Sequence, residues 1–139
     1  TRQHTITMRK IVILFLSVIG FVSLRAAAPQ SEITFETTVQ NLGKISEQNP
    51  VRKCRFIFKN TGDAPLVINQ AIASCGCTVP HFTEKPIKPG ESGQIDVTYD
   101  GTGRYLKPFK KIISVYSNAK TKMVRLYLEG EMVAAKKEK

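Results

Sequence analysis

"CRFIFKNTGDAPLVINQ", Cys54 to Gln70, places two apolar runs on either side of a cluster of turn-forming residues. In the first run Cys54, Phe56 and Phe58 alternate with Arg55 and Lys59; in the second Leu66 and Ile68 share a face. A period of two is what a β-strand with one buried face requires, because successive side chains point to opposite sides. Asn60, Gly62, Asp63 and Pro65 between the runs supply the backbone angles that a reversal needs. The same pattern repeats outward in both directions. Ile33 and Phe35 oppose Glu32, Thr34 and Glu36, and Ile95, Val97 and Tyr99 oppose Gln94, Asp96 and Thr98. Val124, Leu126 and Leu128 oppose Arg125 and Glu129, and in the mixed run "FKKIISVYSN" the register that puts Ile113 and Val115 inward is preferred. "KPIKPGESG" and "SNAKT" are further turn chemistry. Strand and turn recur roughly every 8 to 12 residues, which predicts an all-β, immunoglobulin-like β-sandwich of about seven strands. No helical period and no internal repeat compete with it.

Length and charge narrow the class. The chain has 139 residues, with 21 Lys+Arg against 11 Asp+Glu and a net charge of +10. Arg2, Arg9, Lys10 and Arg25 belong to a segment without acids, leaving 17 basic against 11 acidic residues in positions 29 to 139. The remaining lysines are scattered, with neither a basic helix nor an aromatic-interleaved Arg cluster, so no nucleic-acid partner is expected. Met8, Arg9 and Lys10 precede a 14-residue apolar run, Ile11 to Leu24, and then Arg25 and Ala26 to Ala28. A positive start, a short apolar run and small residues make a secretory signal peptide. The run is shorter than the roughly 20 residues that span a bilayer, so no stable membrane anchor is expected after cleavage. Three segments follow: residues 1–28, an N-terminal extension and signal peptide; 29–133, the immunoglobulin-like domain; and 134–139, a basic C-terminal tail. The mature protein is expected to be secreted or periplasmic.

From about Ile33 to Val133 the chain resembles the bacterial family called domain of unknown function 1573. The resemblance rests on Asn60-Thr61-Gly62, Pro65-Leu66, the loop Ser74-Cys75-Gly76-Cys77-Thr78, Pro89-Gly90-Glu91, "VYSNA" (115–119) and "LYLEGE" (126–131). It implies an immunoglobulin-like sandwich, related in plan to pilus-chaperone and sperm-protein-like domains, and implies little about function. Unlike a typical antibody domain the chain has no Trp and no cysteines spaced for the usual inter-sheet bridge. Phe35, Phe56, Phe58, Tyr99 and the aliphatics are expected to fill the core instead.

The three cysteines are the candidate site. Cys54 stands at an inward strand position and reads first as a small buried hydrophobe. A bridge from it to Cys75 or Cys77 is the alternative, and pairing among the three is open. Cys75 and Cys77 can form a bond across Gly76, whose conformational freedom would help close so small a ring. They can otherwise hold a soft ion such as Cu(I), with His81 as a candidate third ligand. In that respect the loop is similar to the copper-delivery assembly factor of cytochrome oxidase. A structural zinc site needs about four ligands, and three at most are in reach. His81 is the single histidine beyond the leader, and no nucleophile motif or phosphate loop accompanies it. The expectation is therefore a non-enzymatic module without a cofactor, binding an envelope or secreted protein. The alternative is a copper-binding or thiol-redox accessory protein acting through Cys75 and Cys77. "GTGRYLKPF", Gly101 to Phe109, reads as a solvated connection.

Overall fold

Each alternating run has one apolar row to hide, and two sheets stacked face to face hide all of them together. The structure, a computed structural model, describes residues 26–136. The apolar run Ile11 to Leu24 and the last residues of the basic tail lie outside them. Eight strands follow in order: β1 (Ile33–Phe35), β2 (Val39–Ser46), β3 (Val51–Asn60), β4 (Ile68–Ala73), β5 (Thr78–Phe82), β6 (Ser92–Asp100), β7 (Pro108–Ser117) and β8 (Met123–Val133). One sheet has the order β1-β3-β6-β5 and the other β2-β8-β7-β4. All neighbours are antiparallel except β2, which runs parallel to β8. The expected all-β sandwich is what forms. No described helix is long and apolar enough to cross a membrane.

The predicted inward faces are the buried ones. Phe56, Phe58, Ile95, Val97 and Tyr99 from one sheet meet Ile113, Val115, Leu126, Leu128 and Met132 from the other, all at most 2% exposed. Tyr99 stacks on Phe109 with ring centroids 4.3 Å apart, an offset aromatic contact that closes one end of the core. Phe35, expected in the core, is half-buried at its edge and tilts against Phe58. Two strands were not anticipated. β2 carries Gly43 at a φ of 66° and a bulge between Asn41 and Lys44, so its apolar residues do not alternate. β5 contains Pro80, which reads as a breaker but is tolerated because β5 is a sheet edge.

The Asn-Thr-Gly motif does more than turn the chain. Asn60 is fully buried, and its Nδ2 donates to the carbonyls of Ala64 (2.8 Å) and Ile87 (2.9 Å). Its Oδ1 accepts from the N–H groups of Gly62 (3.0 Å) and Glu32 (3.4 Å). One side chain thus ties the start of β1, the β3–β4 connection and the approach to β6. At Gly62 a Cβ would fall within 2.7 Å of main-chain atoms of Gln30, Ser31 and Glu32, so a side chain has no room. Asn118 repeats the device in the β7–β8 turn, accepting from Ser31 and Val67 and donating to Pro65.

Candidate functional site

The β4–β5 connection, Ser74 to Cys77, steps from the edge of one sheet to the edge of the other. Its ends are held by main-chain bonds. Ser74 N donates to Ile112 O (2.8 Å), and Ile112 N donates back to Ser74 Oγ (3.1 Å). Cys77 O accepts from Asp100 N (2.8 Å), and Cys75 O from Thr78 N (3.2 Å). Within this frame Cys75 and Cys77 are joined by a disulfide, their Cα atoms 5.3 Å apart. The two sulfurs differ in environment. Cys77 is 4% exposed and packs into the core, whereas Cys75 is half-buried. Thr78, itself buried, brings its Oγ1 to 3.7 Å from Cys75 Sγ and 3.8 Å from Cys77 Sγ. Bonded sulfurs carry no proton, so the hydroxyl is the donor.

Gly76 does not serve the ring as expected. Its φ is not in the left-handed region, which among the described glycines only Gly43, Gly90 and Gly103 occupy. A Cβ at Gly76 would meet nothing within 4 Å, so the space over the loop is open.

The candidate ligand set Cys75, Cys77 and His81 is not assembled. Three residues along β5 from the inward Thr78, His81 faces outward, where it pairs across the ladder with Asp96 rather than turning back to the sulfurs. Asp96 in turn takes a 2.6 Å bond from Arg55 Nε. That guanidinium, with help from Gln94 and the charge of His81, holds the Asp96 carboxyl below its ordinary range. Lys53, Arg55, His81, Asp96 and Thr98 line a shallow open depression on this outer face. Among the described residues no group of three His, Cys, Asp or Glu side chains converges as a metal site.

Cys54 stays apart from the pair as a free thiol on the inward side of β3, opposite Val97. Burial, reinforced by the charge of Asp96, pushes its thiol from an ordinary 9.0 up to about 11. At pH 8 its thiolate fraction is therefore roughly a hundredfold below that of an unperturbed cysteine. Because a thiolate of higher pKa is also the better nucleophile, iodoacetamide should label it about ten times more slowly in the folded protein than in urea. Equal rates in the two states would contradict this environment.

The β6–β7 loop projects from the same end as the Cys loop. Tyr105 is 82% exposed and Leu106 49%, with Lys107 Nζ 5.4 Å from the Tyr105 ring centroid. Only the middle of the segment read as a solvated connection lies in solvent, since Gly101 is buried and Phe109 stacks on Tyr99.

The outer strands differ in how they end their sheets. β1 has three residues, β5 carries Pro80, and β2 carries a bulge and Lys44. β4, "INQAIA", has neither charge nor proline, and its bulge is confined to its start, between Ile68 and Gln70. Ile72 stands 46% exposed on its outer face. Because Ser74 bonds to β7, ladder alternation turns the main-chain groups of Ala71 and Ala73 away from β7, toward the free edge. This edge could not be found from sequence, since nothing in "INQAIA" reveals which strands lack a second neighbour.

A family described as protein of unknown function (DUF1573) matches residues 33–132. The chain belongs to this family. The matched DUF1573 segment begins with β1 and ends one residue before the end of β8, so it takes in both sheets and the Cys loop. No curated protein matches the chain. Among solved structures, a protein of unknown function from Porphyromonas gingivalis is 19% identical with a TM-score of 0.64, covering 81% of this chain and 51% of that one. The chain therefore spans about half the length of that protein. The PapD-like domain 7 of human CEP192 is 9% identical with a TM-score of 0.58, covering 84% and 95%. The chaperone–tip adhesion subunit pre-assembly complex CsuC–CsuE of Acinetobacter baumannii is 14% identical at 0.51, covering 73% and 57%. At such identities these likenesses establish a PapD-like, immunoglobulin-like fold for this DUF1573 chain and nothing finer.

Proposed function

We propose that this DUF1573 chain is a non-catalytic binding module, secreted or periplasmic, that receives an extended segment of an envelope or secreted protein along the free edge of β4. One observation carries it: β4 is an uncharged, proline-free edge with exposed Ile72 and small Ala71 and Ala73 beside the outward main-chain groups. Natural sheets protect such edges with Lys, Pro or bulges, and an unprotected one is a template for strand addition. The likeness to the chaperone–tip adhesion subunit complex CsuC–CsuE supports the reading to the extent that this architecture occurs in a complex between proteins. Nucleic acid, a cofactor and a retained membrane anchor have no part in it.

The test uses the tagged full chain expressed in its own host. A partner co-purified from the cell envelope is expected to be lost with Ala71→Pro, which removes an outward N–H without breaking a ladder bond. It is also expected to be lost with Ile72→Lys, and kept with Lys59→Glu on the other sheet. Urea midpoints of all three variants should stay within about 1 M of the wild type. Retention of the partner by a folded Ala71→Pro variant would rule out the β4 edge.

A second reading, a thiol-redox accessory protein acting through Cys75 and Cys77, is favoured by the bond that joins them. Its Cu(I) form requires that bond to be reduced first, because the metal needs free thiolates.

A further inference from the structure

The geometry points to Cys75–Cys77 as an exchangeable disulfide whose reactive atom is Cys75 Sγ, opened by a thiolate of a dithiol partner, with Thr78 as the group that steadies the departing Cys77 sulfur. This rests on the thiol-redox reading and is independent of strand addition at β4.

The bond is not what holds its loop. Ser74, Cys75 and Cys77 are fixed by main-chain bonds to Ile112, Thr78 and Asp100, none of which involves sulfur. A cross-link enclosing one residue also removes little chain entropy from the unfolded state. The loop therefore keeps its place whether the sulfurs are bonded or not, which is what a reversible couple needs and a structural staple does not.

Access then selects the sulfur. Thiol–disulfide exchange requires the nucleophile to approach along the S–S axis from the side opposite the leaving sulfur. Cys77 is 4% exposed and backed by the core, which closes that approach, whereas Cys75 is half-buried under the open space above Gly76. Attack by an incoming thiolate forms a bond to Cys75 Sγ, breaks the Cys75–Cys77 bond, and leaves the electron pair on Cys77 Sγ. That sulfur is buried, and burial disfavours the thiolate. The Thr78 hydroxyl, 3.8 Å away and already donating toward sulfur, is placed to offset this by hydrogen-bonding the developing charge until a proton arrives. The partner's second thiolate then attacks its own sulfur in the mixed disulfide and expels Cys75 as thiolate. The net change is two electrons and two protons to Cys75 and Cys77, with the partner dithiol oxidised to its disulfide.

Reduced glutathione serves as the probe on the oxidised full chain. After acid quench, N-ethylmaleimide blocks the freed thiol and tandem mass spectrometry locates both groups. Glutathione on Cys75 with maleimide on Cys77 is expected, in at least tenfold excess over the reverse. Thr78→Val should slow opening about tenfold while Thr78→Ser restores it, and both variants should keep the wild-type urea midpoint to within about 1 M. Adducts on Cys77, or equal opening rates for Thr78→Val and wild type, would overturn this assignment while leaving the pair redox-active. A bond that glutathione and dithiothreitol both fail to open in the folded chain would overturn the thiol-redox reading with it. If Thr78→Val fails to fold, the position of the adduct in the wild type decides alone.

Discussion

Asn60→Asp is expected to destabilise the domain by about 4 kcal/mol at pH 7, a large part of the roughly 5–15 kcal/mol that holds a domain folded. The change keeps size and shape. It removes the donor that bonds Ala64 O and Ile87 O at 2.8 and 2.9 Å, and turns an acceptor toward both carbonyls in a position with no exposure. Ala64 O loses its donor and Ile87 O keeps only Leu66 N, at about 1–3 kcal/mol for a donor lost, and a carboxylate oxygen turned toward both carbonyls adds the cost of a buried charge. The damage should depend on pH, and the sign follows from burial. Desolvation raises the carboxyl's pKa in the folded state above its unfolded value near 4. The folded variant then binds more protons than the unfolded one, so this contribution is fully present below the unfolded value and is lost as pH rises from there through the raised folded value. Urea midpoints at pH 4.5 and pH 7 should therefore differ more for Asn60→Asp than for Asn60→Ala, which carries no titratable group. A pH 7 midpoint equal to wild type, or the same pH response in both variants, would show that the buried network does not bear on stability.

Asn60 also marks where sequence reading reaches its limit. "Asn-Thr-Gly" is legible as a reversal, because its residue types are those of turns. That Asn60 is a four-bond hub depends on Glu32 and Ile87, which lie 28 and 27 positions away and arrive only when the sheets form. The alternating runs of β3, β6 and β8 were readable for the opposite reason. Each buries one face, so the period is written in the run itself. β2 was not, since its bulge and Gly43 break the period, nor was β5, where edge position overrides the ordinary meaning of Pro80.

The candidate site divides in the same way. Spacing alone showed that Cys75 and Cys77 can bond and left Cys54 undecided; the loop joining two sheet edges settles which pair is in reach. His81 looked available because it is four residues from Cys77 in the chain. Register decides otherwise, by setting it opposite Asp96. The unequal burial of the two sulfurs and the position of Thr78 between them have no signal in the string of residues. They come from β5 turning Thr78 inward beneath the loop.

The other large effect is expected where β3 and β6 meet, and it tests packing through a pair. Phe58 is fully buried, and Phe58→Ala should cost about 3–5 kcal/mol through lost transfer energy and the cavity left behind. Gly93 lies opposite Phe58 across the ladder. A Cβ there would come within 2.5 and 2.9 Å of two Phe58 ring atoms and 2.6 Å of Ile87 Cδ1, so Gly93→Ala alone should cost about 1–3 kcal/mol from overpacking. The two costs should not add. With the ring gone, two of the three close contacts disappear and the new methyl occupies part of the vacated space. The double variant is therefore expected to be about 1–3 kcal/mol more stable than the sum of the single losses implies. Urea denaturation of the four proteins in the cycle measures this directly. Strict additivity would mean that Gly93 is small for some reason other than the ring above it, and that these two strands do not pack as the sandwich requires.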